Sequence, residues 1–366
     1  LTRVLALQFV LTSVNLVHRA KLTAAADFKS LAKINVSCSL ISGATGVTLA
    51  YLGWGVWALV AQSLTSVLVA MVLLPMYSKW KPSIAFSKES FTPLFRYGWK
   101  LVATGVYSTI VNNIYTIVIG KYYSSRDLGF YSKGYAAPNT FSGIIYSVIG
   151  GVSFPVMSSI KDDKEQMLRL YKKSLFTTAL LVFPFMTLIA TLSKPLVSIL
   201  YTDKWLPCVF IMQMFCLARM FTPLSAINIS VLNASGRSDL FMKMDFSKFP
   251  LLLLTMVITL PLGIEAMAIG SMVNTFICFF INCYFPGRLY GYGAWQQLKD
   301  WRYIILSVVL TNGFVFLLMQ FIINPWLQVV FGGMAGVIVY FFCCIAFHLI
   351  DKETILNKVN KLRAKK

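Results

Sequence analysis

Acidic residues are scarce in this sequence of 366 residues, which contains 13 Asp and Glu against 33 Lys and Arg. Histidine occurs only twice, at His18 and His348, and the seven cysteines show neither a CxxC pair nor the spacing of metal ligands. The sequence also contains no P-loop, no GxSxG and no HExxH motif. These absences argue against ATP hydrolysis and against the common classes of hydrolase. We therefore expect neither an enzyme nor a bound metal or cofactor.

Charged residues of both signs make up only 13% of the chain, whereas hydrophobic residues make up 57% and the mean hydropathy is +0.71. This composition is typical of a polytopic membrane protein and excludes an ordinary soluble domain. A helix needs about 20 apolar residues to cross a hydrocarbon core of about 30 Å. Eleven stretches satisfy that length approximately: 2–17, 34–52, 55–77, 98–120, 128–157, 174–192, 207–233, 246–263, 266–286, 303–323 and 326–349.

Basic residues are distributed unevenly between the two sets of alternating connections. One set, which includes the C-terminal tail 351–366, holds 26 of the 33 Lys and Arg, and the other set holds four. Because Lys and Arg are enriched in cytoplasmic loops, we expect the basic connections and the C-terminus to be cytoplasmic. The positive charge is dispersed through short loops, which favours contact with anionic membrane lipids over a nucleic-acid partner.

The remaining three basic residues, Arg3, Lys133 and Arg219, belong to neither set of connections and fall inside the expected spans, and no Asp or Glu lies in these spans. A charge at the bilayer centre costs at least about 2.5 kcal/mol, and such residues usually face a water-filled cavity. Lys133 lies close enough to a helix end that it could instead extend towards the headgroups. Arg219 lies deeper, so we favour a cavity-lining position for it over pairing with backbone carbonyls.

Polar side chains recur at steps of four, four and three residues in the stretch 98–120, at Thr104, Ser108, Asn112 and Tyr115. This spacing places them on one helix face, with Asn113 beside it. Asn228 adds a polar residue to the stretch that contains Arg219. Such residues either bond neighbouring helices together or line a hydrophilic cavity. Two polar helices with a cation near each favour a cavity.

The middle of the chain carries a family resemblance, in LFRYGWKLVATGVYSTIVNNIYTIVIGKYYSSRDLGFYSKGYAAPNTF and VSFPVMSSIKDDKEQMLRLYKK. Shorter matches are LAKIN, GVWALVAQ, KWLPCV, LNASGRSDLFMK and YGYGAWQQLKD. With these segments the chain resembles bacterial polysaccharide flippases of the Wzx type, within the multidrug/oligosaccharidyl-lipid/polysaccharide (MOP) exporter superfamily. The likeness is strongest between Asn112 and Asp162 and weakest in the last two helices.

The resemblance implies an all-α, two-lobed MOP/MATE-like membrane bundle of fourteen helices around a central cavity. On that alignment the present chain begins at the fourth helix, and we expect an N-terminal truncation. Its pieces would be the last three helices of the first lobe (1–77), the second six-helix lobe (93–290), a C-terminal helix pair (300–350) and the basic tail (351–366).

The implied function is transport of undecaprenyl-diphosphate-linked oligosaccharide across the bacterial plasma membrane for cell-surface polysaccharide synthesis. A polymerase and glycosyltransferases of the same pathway are the implied protein partners. The candidate substrate-binding residues are Arg219, Lys133, Asn112, Tyr115, Ser108, Asn113 and Asn228. A cation-coupled multidrug exporter of the same superfamily is the alternative, and it would need a membrane carboxylate. A glycan-polymerising enzyme would need a large outer loop, and a non-transporting scaffold stays open for a fragment.

Overall fold

The computed structural model describes residues 2–25, 27–78, 87–160 and 162–349, and all regular structure in these residues is helical. The predicted basic tail 351–366 lies outside the described residues. The chain divides into two compact units, residues 1–100 and 101–366, which are described separately. The prediction of an all-α membrane bundle is confirmed.

The first unit contains α1 (Thr2–Ala24), α2 (Phe28–Tyr51), α3 (Val56–Ser78) and the beginning of α4 (Lys88–Tyr122). Asp27 begins α2 as its N-cap, since its carboxylate accepts a hydrogen bond of 3.1 Å from the Ser30 amide. The α2–α3 connection turns through Gly53 and Gly55, which both adopt positive φ angles that favour glycine. Helix α3 packs against both α1 and α2 around the buried residues Leu22, Ile34, Cys38, Ala70 and Leu74.

The second unit contains the rest of α4 and ten further helices, joined in two places by a single 3₁₀ turn. These helices are α5 (Ser125–Ser158), α6 (Lys164–Thr191), α7 (Ser193–Tyr201), α8 (Cys208–Arg219), α9 (Thr222–Ala234), α10 (Ser238–Thr259), α11 (Ile264–Tyr290), α12 (Ala294–Asp300), α13 (Arg302–Gln320) and α14 (Pro325–Ala346). Helix α5 packs along both α8 and α9. This contact places the middle of α5 beside the break between those two helices.

Within the described residues, nine helical segments are long and apolar enough to cross a membrane, counting α8 and α9 together as one segment. The two other stretches expected to span, 2–17 and 98–120, form α1 and α4. Both are continuous helices that carry several polar side chains, such as Arg3 in α1 and Asn112 and Asn113 in α4. The hydrophobic exteriors agree with a bilayer environment, since large apolar side chains stay exposed along most helices.

The C-terminal pair α13 and α14 packs together and contacts the preceding helices α6 and α7. The close approach depends on small residues: a methyl group at Gly336 would lie 2.7 Å from the Leu188 side chain. Tyr340 then donates a hydrogen bond of 2.8 Å to the Leu180 carbonyl. Glycine at such contacts lets membrane helices approach closely, so van der Waals packing holds the pair in place.

Candidate functional site

A polar cavity of about 330 Å³ lies in the second unit. Five helices contribute to its lining, namely α4, α8, α9, α10 and α11. The lining residues are Val111, Asn112, Arg219, Thr222, Ser225, Ile229, Asp245, Lys248, Phe249, Leu252, Asn274, Thr275, Cys278 and Asn282. Amides, hydroxyls and charged groups therefore converge inside a protein whose exterior is largely apolar.

Arg219 is placed at this cavity by a break in the chain. The predicted single stretch 207–233 forms two helices, because Pro223 lacks the backbone N–H that would bond the carbonyl of residue 219, four positions earlier. The Ser142 hydroxyl of α5 donates a hydrogen bond of 2.9 Å to that freed Arg219 carbonyl. Pro223 thus ends α8 at Arg219, and the Ser142 side chain of α5 satisfies the carbonyl that this break leaves free.

The Arg219 side chain is half-buried against an aromatic ring. Its Nη2 donates a hydrogen bond of 3.1 Å to the Tyr135 hydroxyl, and its guanidinium carbon lies 5.1 Å from the centre of the Tyr135 ring. Tyr135 is held by an edge contact with Phe215, with ring centres 5.0 Å apart. The Arg219 Nε is buried and has no hydrogen-bond partner among the described residues. The guanidinium is therefore oriented by a tyrosine, and no carboxylate of the described residues pairs with it.

A carboxylate, Asp245, also lines the cavity. Helix α10 begins at Ser238, so Asp245 lies about two turns inside a helix where a loop was expected. Its carboxylate pairs with the Lys248 ammonium at 3.1 Å. The sequence interpretation missed this pair because apolar periodicity alone started the span at residue 246. With Arg219, the charged lining carries a formal charge of +1.

The four candidate residues of α4 have different surroundings. Asn112 lines the cavity together with Arg219. Tyr115 is buried, and its hydroxyl lies 3.1 Å from the Thr255 hydroxyl of α10, so it bonds two helices together. Asn113 is exposed and donates to the Thr109 carbonyl of its own helix. Ser108 lies in α4, but its side chain is outside the described part of the structure.

Asn228 is not among the residues that line this cavity. Its side chain is 0% exposed and accepts a hydrogen bond of 2.6 Å from the Tyr171 hydroxyl. Its amide group approaches Cys283 Sγ at 3.3 Å, and Gln297 donates to Tyr171 at 3.0 Å. The face of α9 that carries Thr222 and Ser225 meets the cavity, whereas Asn228 faces α6 and α11. Its role in the structure is a buried hydrogen-bond network.

Lys133 is also separated from Arg219. Its ammonium lies 5.0 Å from the centre of the Tyr201 ring and 5.8 Å from that of Trp205, and its side chain is exposed. Ser142, which bonds Arg219, follows Lys133 by nine residues in α5, a separation of roughly 13 Å along the axis at 1.5 Å per residue. The placement matches the alternative in which Lys133 extends towards a helix end, stabilised by aromatic rings.

Helix α11 supplies polar lining that the sequence interpretation did not identify. Asn274, Cys278 and Asn282 recur at steps of four, the same spacing that singled out the face of α4. The side-chain amide of Asn282 donates a hydrogen bond of 2.9 Å to the Ser225 hydroxyl of α9. The side-chain oxygen of Asn282 is buried and has no hydrogen-bond partner among the described residues. Applying the spacing test to the stretch 266–286 would have found this face.

The family model and three curated relatives that match this chain carry names from polysaccharide biosynthesis. A family model described as "Polysaccharide biosynthesis protein" matches residues 1–210. The succinoglycan biosynthesis transport protein ExoT of Rhizobium meliloti (strain 1021) is 28% identical over 171 residues, which cover 46% of this chain and 35% of the relative. The teichuronic acid biosynthesis protein TuaB of Bacillus subtilis (strain 168) is 24% identical over 66% of this chain and 50% of its own length.

Two further matches extend over more of the chain. The lipopolysaccharide biosynthesis protein WzxC of Escherichia coli (strain K12) is 23% identical over 77% of this chain and 58% of its own length. Among solved structures, the lipid II flippase MurJ in its inward closed conformation superposes with a TM-score of 0.63 at 16% identity, covering 85% of this chain and 66% of that one. The chain spans between about a third and three fifths of the three curated relatives described here.

Proposed function

Because the chain belongs to the family of polysaccharide biosynthesis proteins, we propose that it translocates undecaprenyl-diphosphate-linked oligosaccharide across the bacterial plasma membrane. The product would be built into a cell-surface polysaccharide. The observation that carries the proposal is the cavity in which Arg219 and Lys248 lie among amide and hydroxyl side chains. The names of the relatives, a transport protein and a flippase among them, favour transport over catalysis.

The lining of the cavity fits both parts of such a substrate. A diphosphate binds cations that donate several hydrogen bonds, and the Arg219 guanidinium at the cavity uses Nη2 for its hydrogen bond to Tyr135, which leaves other N–H groups for an anion. Sugar hydroxyls donate and accept hydrogen bonds, and Asn112, Asn274 and Thr275 can serve both purposes. Recognition through a few polar groups would tolerate different sugars while it requires the charged headgroup.

The remaining candidates have less direct parts in this proposal. Tyr115 and Asn228 would keep the helices around the cavity in register through their buried hydrogen bonds. Lys133, beside Tyr201 and Trp205, would offer a further positive charge on the expected outer side. Asn113 and Ser108 stay proposed contacts of the substrate.

We further propose that the basic connections and the C-terminus face the cytoplasm, as the distribution of Lys and Arg indicates. The diphosphate would enter from the cytoplasmic leaflet, where glycosyltransferases assemble the glycan, and leave towards a polymerase on the other side. Transport would proceed by alternating access of two lobes, as the family resemblance implies.

Substitution of Arg219 by Gln in the complete protein tests the proposal. We expect loss of surface polysaccharide in a deletion strain complemented with the variant, because Gln keeps hydrogen-bonding capacity but removes the charge. Arg169→Gln is the matched control, since the Arg169 side chain is 70% exposed and pairs with Glu165 away from the cavity. Both variants should reach the membrane in wild-type amounts on immunoblots. Unchanged polysaccharide with Arg219→Gln would refute the role of the cavity.

The carboxylate of Asp245 favours one alternative, a cation-coupled exporter of small molecules. Such a protein would need an acidic residue within the membrane, and Asp245 lines the cavity. This alternative predicts resistance to cationic drugs that depends on a sodium or proton gradient and disappears with Asp245→Asn. Polysaccharide export without drug resistance would exclude it.

A further inference from the structure

We propose that Asp245 is an internal competitor of the substrate: its carboxylate holds Lys248 and must be displaced by the anionic headgroup during transport. The inference rests on the proposed function, because it names the residue that limits how tightly an anion is held. It assigns to one acidic side chain of α10 a role in release of the substrate.

The geometry of the pair places the lysine in the wall and the carboxylate towards the lumen. Lys248 and Asp245 are one helical turn apart, with Nζ and Oδ1 separated by 3.1 Å. The Lys248 side chain is 18% exposed, whereas the Asp245 side chain is 57% exposed. A lysine whose side chain is mostly buried is costly without a counter-charge, while a carboxylate on a largely exposed side chain can rotate away from its partner.

The two cations of the cavity differ in their partners: in the part of the chain that the structure describes, Lys248 pairs with a carboxylate, and Arg219 does not. Among the described residues the Arg219 guanidinium makes no ion pair, and its hydrogen-bonded neighbour Tyr135 is neutral. One cation of the cavity is therefore available to an anion at once, and the other is already neutralised by Asp245. An incoming diphosphate that contacts Lys248 would compete with the Asp245 carboxylate for the same ammonium.

A transporter gains from such competition. Binding must be favourable enough for a substrate to enter and weak enough for it to leave. Two unopposed cations would hold a diphosphate tightly through charge-assisted hydrogen bonds. Asp245 lowers the affinity by repelling the anion and by re-forming its bond with Lys248 when the anion departs, so it would speed release.

The test measures binding of farnesyl diphosphate to the purified complete protein in detergent by isothermal titration calorimetry. We expect Asp245→Asn to bind roughly tenfold more tightly, the order expected when one like charge is removed from the wall of a polar cavity. Lys248→Gln should bind more weakly, and Asp245→Glu should stay close to the wild type. The matched control is Asp239→Asn, because Asp239 pairs with Arg237 at the start of the same helix and does not line the cavity.

The outcomes separate this inference from the proposed function. Unchanged or weaker binding by Asp245→Asn, together with loss of surface polysaccharide in Arg219→Gln, would overturn the competitor role and leave the proposed function standing. Absence of binding by the wild-type chain would overturn both. Inorganic diphosphate should show the same gain as the prenyl form, since the competition concerns the headgroup; a gain confined to the prenyl form would contradict the inference.

Discussion

Replacement of Gly134 by Ala tests the packing that positions the cavity arginine. Gly134 lies in α5 where this helix meets α8, one residue before Tyr135. A methyl group at Gly134 would lie 2.8 Å from Cγ2 of Ile211 and 2.9 Å from the carbonyl oxygen of Cys208. Both distances are shorter than van der Waals contact, and the second involves backbone that has little room to move. The two helices must therefore separate to accommodate the substitution.

Gly143→Ala is the matched control, because a methyl group at this position of the same helix would meet nothing within 4 Å. Alanine favours a helix over glycine by about 0.8–1 kcal/mol, so the control should be slightly more stable than the wild type. Overpacking at Gly134 costs typically about 1–3 kcal/mol. Both variants gain the helix propensity of alanine, so the difference in the free energy of unfolding between them should be the overpacking cost alone, roughly 1–3 kcal/mol.

The assay is thermal unfolding of the detergent-solubilised chain with a dye that becomes fluorescent on reaction with thiols. Cysteines buried in the fold, such as Cys208, Cys216 and Cys283, become reactive when it opens. We expect Gly134→Ala to unfold several degrees below Gly143→Ala, given about 2–4 °C per kcal/mol for domains of 150–250 residues. Equal unfolding temperatures would refute the close α5–α8 contact.

Two further predictions concern residues outside the cavity. Asn228→Leu should destabilise the chain by about 1–3 kcal/mol, because it leaves the buried Tyr171 hydroxyl without its acceptor; an unchanged unfolding temperature with lost export would instead indicate substrate contact. Asp27→Ala should lower the unfolding temperature at pH 7 and have a smaller effect at pH 3. Hydrogen bonds from Ser30 lower the pKa of Asp27 below its ordinary value of 3.8, so its stabilising contribution is present above that value and lost as the pH falls through the folded-state pKa.

Much of the fold follows from local properties of the sequence. Long apolar runs predict helices in a bilayer because the backbone has no other way to satisfy its hydrogen bonds there. Pro223 and the polar spacing in α4 and α11 are also visible in the sequence. Helix starts were less well predicted: apolar periodicity placed the start of α10 after Asp245, whereas backbone hydrogen bonding extends the helix back to Ser238.

The candidate site was only partly predictable. The sequence singled out Arg219 and Asn112 by charge and spacing, and both lie in one cavity. The same reasoning grouped Asn228 and Lys133 with them, although one joins a buried network and the other contacts Tyr201 and Trp205. Spacing identifies which residues share a face, but it does not identify what that face meets.

The sequence by itself determined a helical membrane protein with few internal charges, since these properties depend on composition and on contacts between residues close along the chain. Only the tertiary structure decided that Asp245, Lys248 and Arg219 share one cavity, because residues far apart in sequence meet according to how helices rotate and pack. A rotation that turns Thr222 and Ser225 towards the lumen turns Asn228 away from it, and this rotation is fixed by contacts among α5, α9 and α11.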